Sequence, residues 1–139
     1  MTIASNRPAV WFGRVMWLGI LANFALAVPT LLAPERLIAM AGLPPASPLM
    51  WVRFSALLLI LLSVFYVPAA VDLYNYRASA WLAIASRLAG TLFFATQAAD
   101  YRLFGLFDFV FLVPEAILLT MALRHDPPRE GRLESSTPS

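Results

Sequence analysis

Four long apolar stretches constrain this chain more than any other feature of its sequence. They cover residues 9–32, 48–67, 78–98 and 103–123, and the centre of the second, Leu57–Leu62, contains no polar side chain. A helix rises about 1.5 Å per residue, so about 20 residues cross the roughly 30 Å of hydrocarbon in a bilayer. Because lipid offers no partner to an unpaired backbone group, we expect each stretch to be helical. The sequence therefore predicts an all-α integral membrane protein with four transmembrane helices.

Composition and the connecting segments support one domain. Hydrophobic residues are 60% of the chain and charged residues 13%, whereas soluble domains average about 45–50% and about 25%. The link over residues 99–102 is so short that it forces an antiparallel hairpin, and breaker residues separate the other stretches. We therefore predict an up-down-up-down bundle over residues 1–124, with a short interfacial helix at residues 34–40 and a polar, disordered tail at 125–139.

The distribution of arginine predicts the orientation of the chain in the membrane. All ten basic residues are Arg, and cytoplasmic loops carry an excess of positive charge. With the N-terminus inside, five Arg flank the inner ends of the helices against two at the outer ends, which places both termini in the cytoplasm. An alternative is that Ala25–Ala27 ends a cleaved signal peptide, although the apolar stretch continues past that point.

Six side chains within the apolar stretches are expected to be costly to place in lipid: Arg14, Asn23, Arg53, Arg87, Asp108 and Glu115. An Arg or Asp at the centre of such a helix costs about 2.5–3.5 kcal/mol, so these residues usually face the bundle interior and pair. By helix rise, Arg87 and Glu115 both lie about 12 Å from the cytoplasmic boundary. Arg53 and Asp108 both lie about 21–23 Å from it. Matched depth predicts two ion pairs, Arg87 with Glu115 and Arg53 with Asp108.

Two interpretations of these buried charges stay open at this point. Ion pairs between neighbouring helices can fix helix register without any chemistry. Intramembrane charges can equally form a site for an anionic head group, a quinone or a proton. Asn23 is the candidate for the core of the first helix, because Arg14 lies near the boundary and can extend towards water. Four glycines are expected to mark close approaches between helices: Gly13, Gly19, Gly90 and Gly105.

Several kinds of chemistry lack their residues in this sequence. There is no Cys, and the single His, His125, lies outside the apolar stretches, so the helices predict no haem, thiolate or di-metal site. No catalytic triad and no glycine-rich phosphate loop is recognisable. The net charge of +2 and the lack of a basic cluster argue against a nucleic-acid partner. We predict no catalytic residue, metal or cofactor. The sequence therefore favours a protein that is not an enzyme.

Four short segments mark the layout of the stretches: Pro34-Glu-Arg-Leu, Gly42-Leu-Pro, Trp51-Val-Arg53 and Arg87-Leu-Ala-Gly90. Together they resemble the DoxX-like small bacterial membrane proteins. The resemblance covers the four stretches and lies in their layout. It implies a helical bundle in the bacterial inner membrane, and for some relatives a quinone or thiol redox partner. The lack of Cys in this chain puts a thiol role in doubt.

These observations favour a non-catalytic accessory subunit that docks on a larger membrane complex. One alternative is an intramembrane site for a lipid-like or quinone-like anion, held by Arg53 and Arg87. Another is a small proton-coupled carrier in which Glu115 titrates. The expected partners are the lipid bilayer and either a larger membrane complex or further copies of this chain.

Overall fold

The computed structural model describes residues 7–124, and the predicted tail at 125–139 lies outside them. In chain order the elements are α1 (Arg7–Leu32), α2 (Pro34–Met40), α3 (Leu49–Val71), α4 (Arg77–Ala95), a 3₁₀ turn (Ala99–Tyr101) and α5 (Arg102–Arg124). No strand occurs among these described residues. The predicted all-α fold with four long helices is therefore confirmed.

Two helix ends differ from the predicted limits of the apolar stretches. Helix α3 continues through Pro68 to Val71, because proline has a helix-compatible φ and removes only one backbone donor near the end. Helix α4 ends at Ala95 instead of residue 98. There the Thr96 hydroxyl donates to the Phe93 carbonyl at 2.7 Å, and the Thr96 backbone N–H donates to the same carbonyl at 3.1 Å. These bonds tighten the last turn and stop the helix.

The four long helices form a ring in which each packs against two neighbours. Helix α1 lies along α3 and α5, and α4 lies along α5 and α3. The start of α1 meets the end of α3, since Gly13 faces the Ala70 carbonyl. The start of α5 meets the end of α4, since Gly105 faces Phe94. Both contacts require antiparallel neighbours, as in the predicted bundle, and they place α3 diagonally opposite α5.

The polarity of the bundle is the reverse of that in a soluble protein. Side chains such as Leu18 and Phe65 are more than 60% exposed, while Arg87 and Glu115 are among the most buried. Soluble monomers rarely expose large continuous apolar surfaces. By length and composition, all four long helices can cross a membrane. The structure thus has the features of a multi-pass membrane protein.

Candidate functional site

Arg87 of α4 lies between two carboxylates of α5. Its Nε donates to Glu115 Oε2 at 3.0 Å, and its Nη1 lies 3.5 Å from Asp108 Oδ1. The two carboxylates are seven residues apart, so they share one face of α5. Because α4 and α5 are antiparallel neighbours, one guanidinium can bridge two turns of the facing helix. We call Arg87, Asp108 and Glu115 the charge cluster.

The charge cluster is enclosed to different extents around its three members. Glu115 is 0% exposed and Arg87 2%, whereas the side chain of Asp108 is 23% exposed. Isolated charges in such surroundings would lose their hydration, so the ion pairs are what make their burial tolerable. The stronger contact is the fully buried one between Arg87 and Glu115.

Aromatic rings close the sides of the charge cluster. The Arg87 guanidinium carbon lies 4.8 Å from the centre of the Phe111 ring and 5.8 Å from that of Tyr66. At such distances the negative face of a ring attracts a cation. Tyr66 comes from α3 and Phe111 from α5, so two helices besides its own α4 hold Arg87 with aromatic rings.

Two glycines leave the space that the charged side chains occupy. A Cβ atom on Gly19 of α1 would overlap Arg87 Nη2 and lie 3.3 Å from Glu115 Oε1. A Cβ atom on Gly90 would overlap Asp108 Oδ2. All four glycines thus lie at close contacts between helices; Gly13 and Gly105 face a backbone carbonyl or an aromatic side chain, whereas Gly19 and Gly90 face charged side chains.

Some polar atoms of this region lack a hydrogen-bond partner within residues 7–124. They are Arg87 Nη2, Glu115 Oε1 and the hydroxyl of Thr91. The first two point at Gly19. A buried polar atom without a partner costs about 1–3 kcal/mol, so the charge cluster is held in place by its other contacts and is not ideally satisfied.

Asn23 belongs to a second polar contact, between α1 and α3. Its amide Nδ2 donates to Ser63 Oγ at 2.9 Å, and the Ser63 hydroxyl donates to the Leu59 carbonyl at 2.7 Å. Both side chains are buried. Ser63 is not among the predicted polar contacts, although it is the first polar residue after the Leu57–Leu62 run and its position there indicates a buried hydroxyl.

The predicted pairing of Arg53 with Asp108 is wrong. Arg53 is exposed and makes no ion pair with any residue in the described range 7–124, while Asp108 pairs with Arg87. Matched depth gave the height of each residue but not the face of its helix. Helices α3 and α5 are diagonal in the ring, so a residue of α3 would have to reach across the bundle to contact Asp108.

A separate apolar groove of about 330 Å³ opens at the end of the bundle where α2 lies. Its walls come from α1, α2, α3, the start of α5 and the last turn of α4. Among its polar lining residues, the Thr30 hydroxyl donates to the Leu26 carbonyl at 2.6 Å and the Ser55 hydroxyl to the Trp51 carbonyl at 2.8 Å. None of the charge cluster lines this groove. Within residues 7–124 no group of three His, Cys, Asp or Glu could hold a metal ion.

Comparison of the chain with protein-family models, with curated proteins and with solved structures finds no match. The resemblance to DoxX-like proteins therefore stays a hypothesis. Function has to be argued from the charge cluster, the groove and the outward surfaces of the helices.

We predict that Arg87→Met strongly destabilises the bundle. Met keeps much of the volume but leaves Asp108 and Glu115 without their cation, and removing one partner from a buried pair typically costs about 3–5 kcal/mol. The matched control is Arg53→Met, since Arg53 is exposed. Unfolding in detergent micelles measures both variants. Equal stability of the two would contradict the structural role of Arg87.

Proposed function

We propose that this chain is a non-catalytic accessory subunit that docks, within a bacterial inner membrane, on a larger membrane protein. Membrane residence is supported by the four helices long and apolar enough to span a bilayer and by their exposed apolar side chains. The excess of Arg at the inner flanks supports cytoplasmic N- and C-termini. The DoxX-like layout supports the bacterial setting.

The observation that carries the accessory role is the closure of the charge cluster on itself. Arg87 bonds Glu115 and contacts Asp108, and Gly19 packs against the guanidinium so closely that even a Cβ would not fit. This arrangement ties α1, α4 and α5 together through contacts within the protein. Charged groups arranged in this way suit a rigid subunit whose outer faces do the binding.

The outward face of α4 offers a docking surface for a helix of the larger protein. Ala78, Ala85 and Ala89 are exposed, and their spacing of seven and four places them on one side of the helix. Small residues let two transmembrane helices approach closely, which gives van der Waals contacts that lipid does not replace. The exposed Leu82 and Leu92 flank these alanines on the same side of α4.

Purification in mild detergent tests this role. We expect other membrane proteins to co-purify with the wild-type chain and to be lost from the double variant Ala85→Leu/Ala89→Leu, because larger side chains hold the partner helix away. The control is Ala25→Leu, which enlarges an exposed alanine on α1 and should retain the partners.

Two results of that purification would contradict the accessory role. One is a solitary, monodisperse monomer from the wild type. The other is the same set of co-purifying chains from all three proteins. If only further copies of this chain co-purify, the partner is a second copy of the chain and the protein is a homo-oligomer.

A second candidate function is binding of a lipid-like or quinone-like molecule, and the groove beside α2 is what favours it. Its volume of about 330 Å³ lies at the lower end of the range for small-molecule sites. The hydroxyls of Thr30 and Ser55 are already bonded to backbone carbonyls, so these walls suit a hydrocarbon chain. Arg53 follows the lining residue Val52 in sequence but does not itself line the groove. Arg87 belongs to the charge cluster and not to this groove.

Filling the groove should reduce lipid binding. Ala56 lines it, so Ala56→Phe places a ring where the hydrocarbon would lie. The probe is phosphatidylglycerol added to delipidated protein and measured by native mass spectrometry. We expect the Ala56→Phe protein to retain several-fold less lipid than the wild type or the control Leu58→Phe, at a residue exposed on the same helix. Equal retention in all three would exclude the groove as the site.

A further inference from the structure

The charge cluster contains more negative than positive groups. It holds one guanidinium, Arg87, and two carboxylates, Asp108 and Glu115. If both carboxylates were ionised, the interior of the bundle would carry a net charge of −1. An uncompensated charge in surroundings of low dielectric is strongly disfavoured, and the usual remedy is a change of protonation.

No other charged residue of the described chain compensates the cluster. Helix α3 contributes the neutral Tyr66 hydroxyl, which lies next to Ser86 of α4. Helix α1 contributes Gly19, which has no side chain. The remaining charged residues of the four long helices are exposed or lie at helix ends: Arg7, Arg14, Arg53, Arg77, Arg102 and Arg124. When all helices that pack around the charge cluster are considered, it still contains one cation and two carboxylates.

The two carboxylates differ in their distance from Arg87 and in their exposure. Glu115 receives the shorter bond from Arg87, at 3.0 Å, and is fully enclosed. Asp108 lies 3.5 Å from the guanidinium and its side chain is 23% exposed. Arg87 and Glu115 thus form a neutral pair by themselves, and Asp108 is the group that remains to be neutralised and the less enclosed of the two carboxylates.

We propose that Asp108 carries one exchangeable proton, so that the charge cluster is a proton-binding site within the membrane. The inference rests on the proposed membrane location, because lipid around the bundle is what makes a net charge costly. At low pH the cluster is neutral, with Arg87 held by Glu115. When pH rises far enough for the proton to leave Asp108, a second anion competes for the guanidinium and the cluster becomes negative.

Infrared difference spectroscopy of protein reconstituted in phosphatidylcholine vesicles tests this site. A protonated carboxyl has a C=O stretching band that a carboxylate lacks. We expect the wild type minus Asp108→Asn spectrum to show one such band, which shifts in D₂O and disappears as the pH is raised. In Glu115→Gln one carboxylate remains against one guanidinium, so the Asp108 band should disappear there as well.

Three results would overturn the proposal. The first is an Asp108 that is ionised over the whole pH range in the wild type. The second is a protonated carboxyl band that disappears in Glu115→Gln although Asp108 is ionised in the wild type, which would assign the proton to Glu115. The third is an Asp108 band that persists in Glu115→Gln. If the variants fail to fold, the assigned ¹³Cγ shift of Asp108 in wild-type vesicles reports the same protonation state without substitution. Flotation of the vesicles reads membrane insertion independently, so a failure of the membrane assignment is distinguished from a failure of the proton site.

Discussion

The contact on which the rest of the structure depends is the bond from Arg87 to Glu115, 3.0 Å long and fully enclosed. Every long helix has exposed apolar residues on its outer side, which suits a lipid environment. In lipid, Arg87 and Glu115 are not hydrated by water. Each ion then requires its partner, and the partners sit on neighbouring antiparallel helices. The pair fixes the register of α4 against α5, and Gly19 brings α1 into the same contact.

The remaining contacts divide the bundle into two functional regions. The charge cluster and the Asn23–Ser63 contact lie in the interior and are bonded within the protein. The groove beside α2 and the side of α4 that carries Ala78, Ala85 and Ala89 are exposed surfaces of the bundle. This separation is compatible with the proposed subunit, whose charges stabilise the bundle and whose apolar surfaces bind other molecules.

Much of this architecture follows from the sequence, because the length of an apolar stretch and the rise per residue of a helix decide whether the stretch spans a bilayer. The same rise places Arg87 level with Glu115, and the structure brings these two together. The same rise also places Arg53 level with Asp108, but the predicted ion pair between them is wrong. Depth does not reveal the order of the helices around the ring or the face of α3 on which Arg53 lies. Gly19 lies at a contact between helices, as its sequence position predicts, but the sequence does not reveal that the group it faces is the guanidinium of Arg87.

Solid-state NMR of the wild-type protein in lipid bilayers measures the central contact most directly. Labelled with ¹⁵N and ¹³C, the protein should show a dipolar coupling between Arg87 Nε and the carboxyl carbon of Glu115, at the strength expected for atoms in hydrogen-bond contact. Assigned resonances for both groups without such a coupling, or a coupling of Arg87 to other residues in place of Glu115, would contradict the proposed organisation of the bundle.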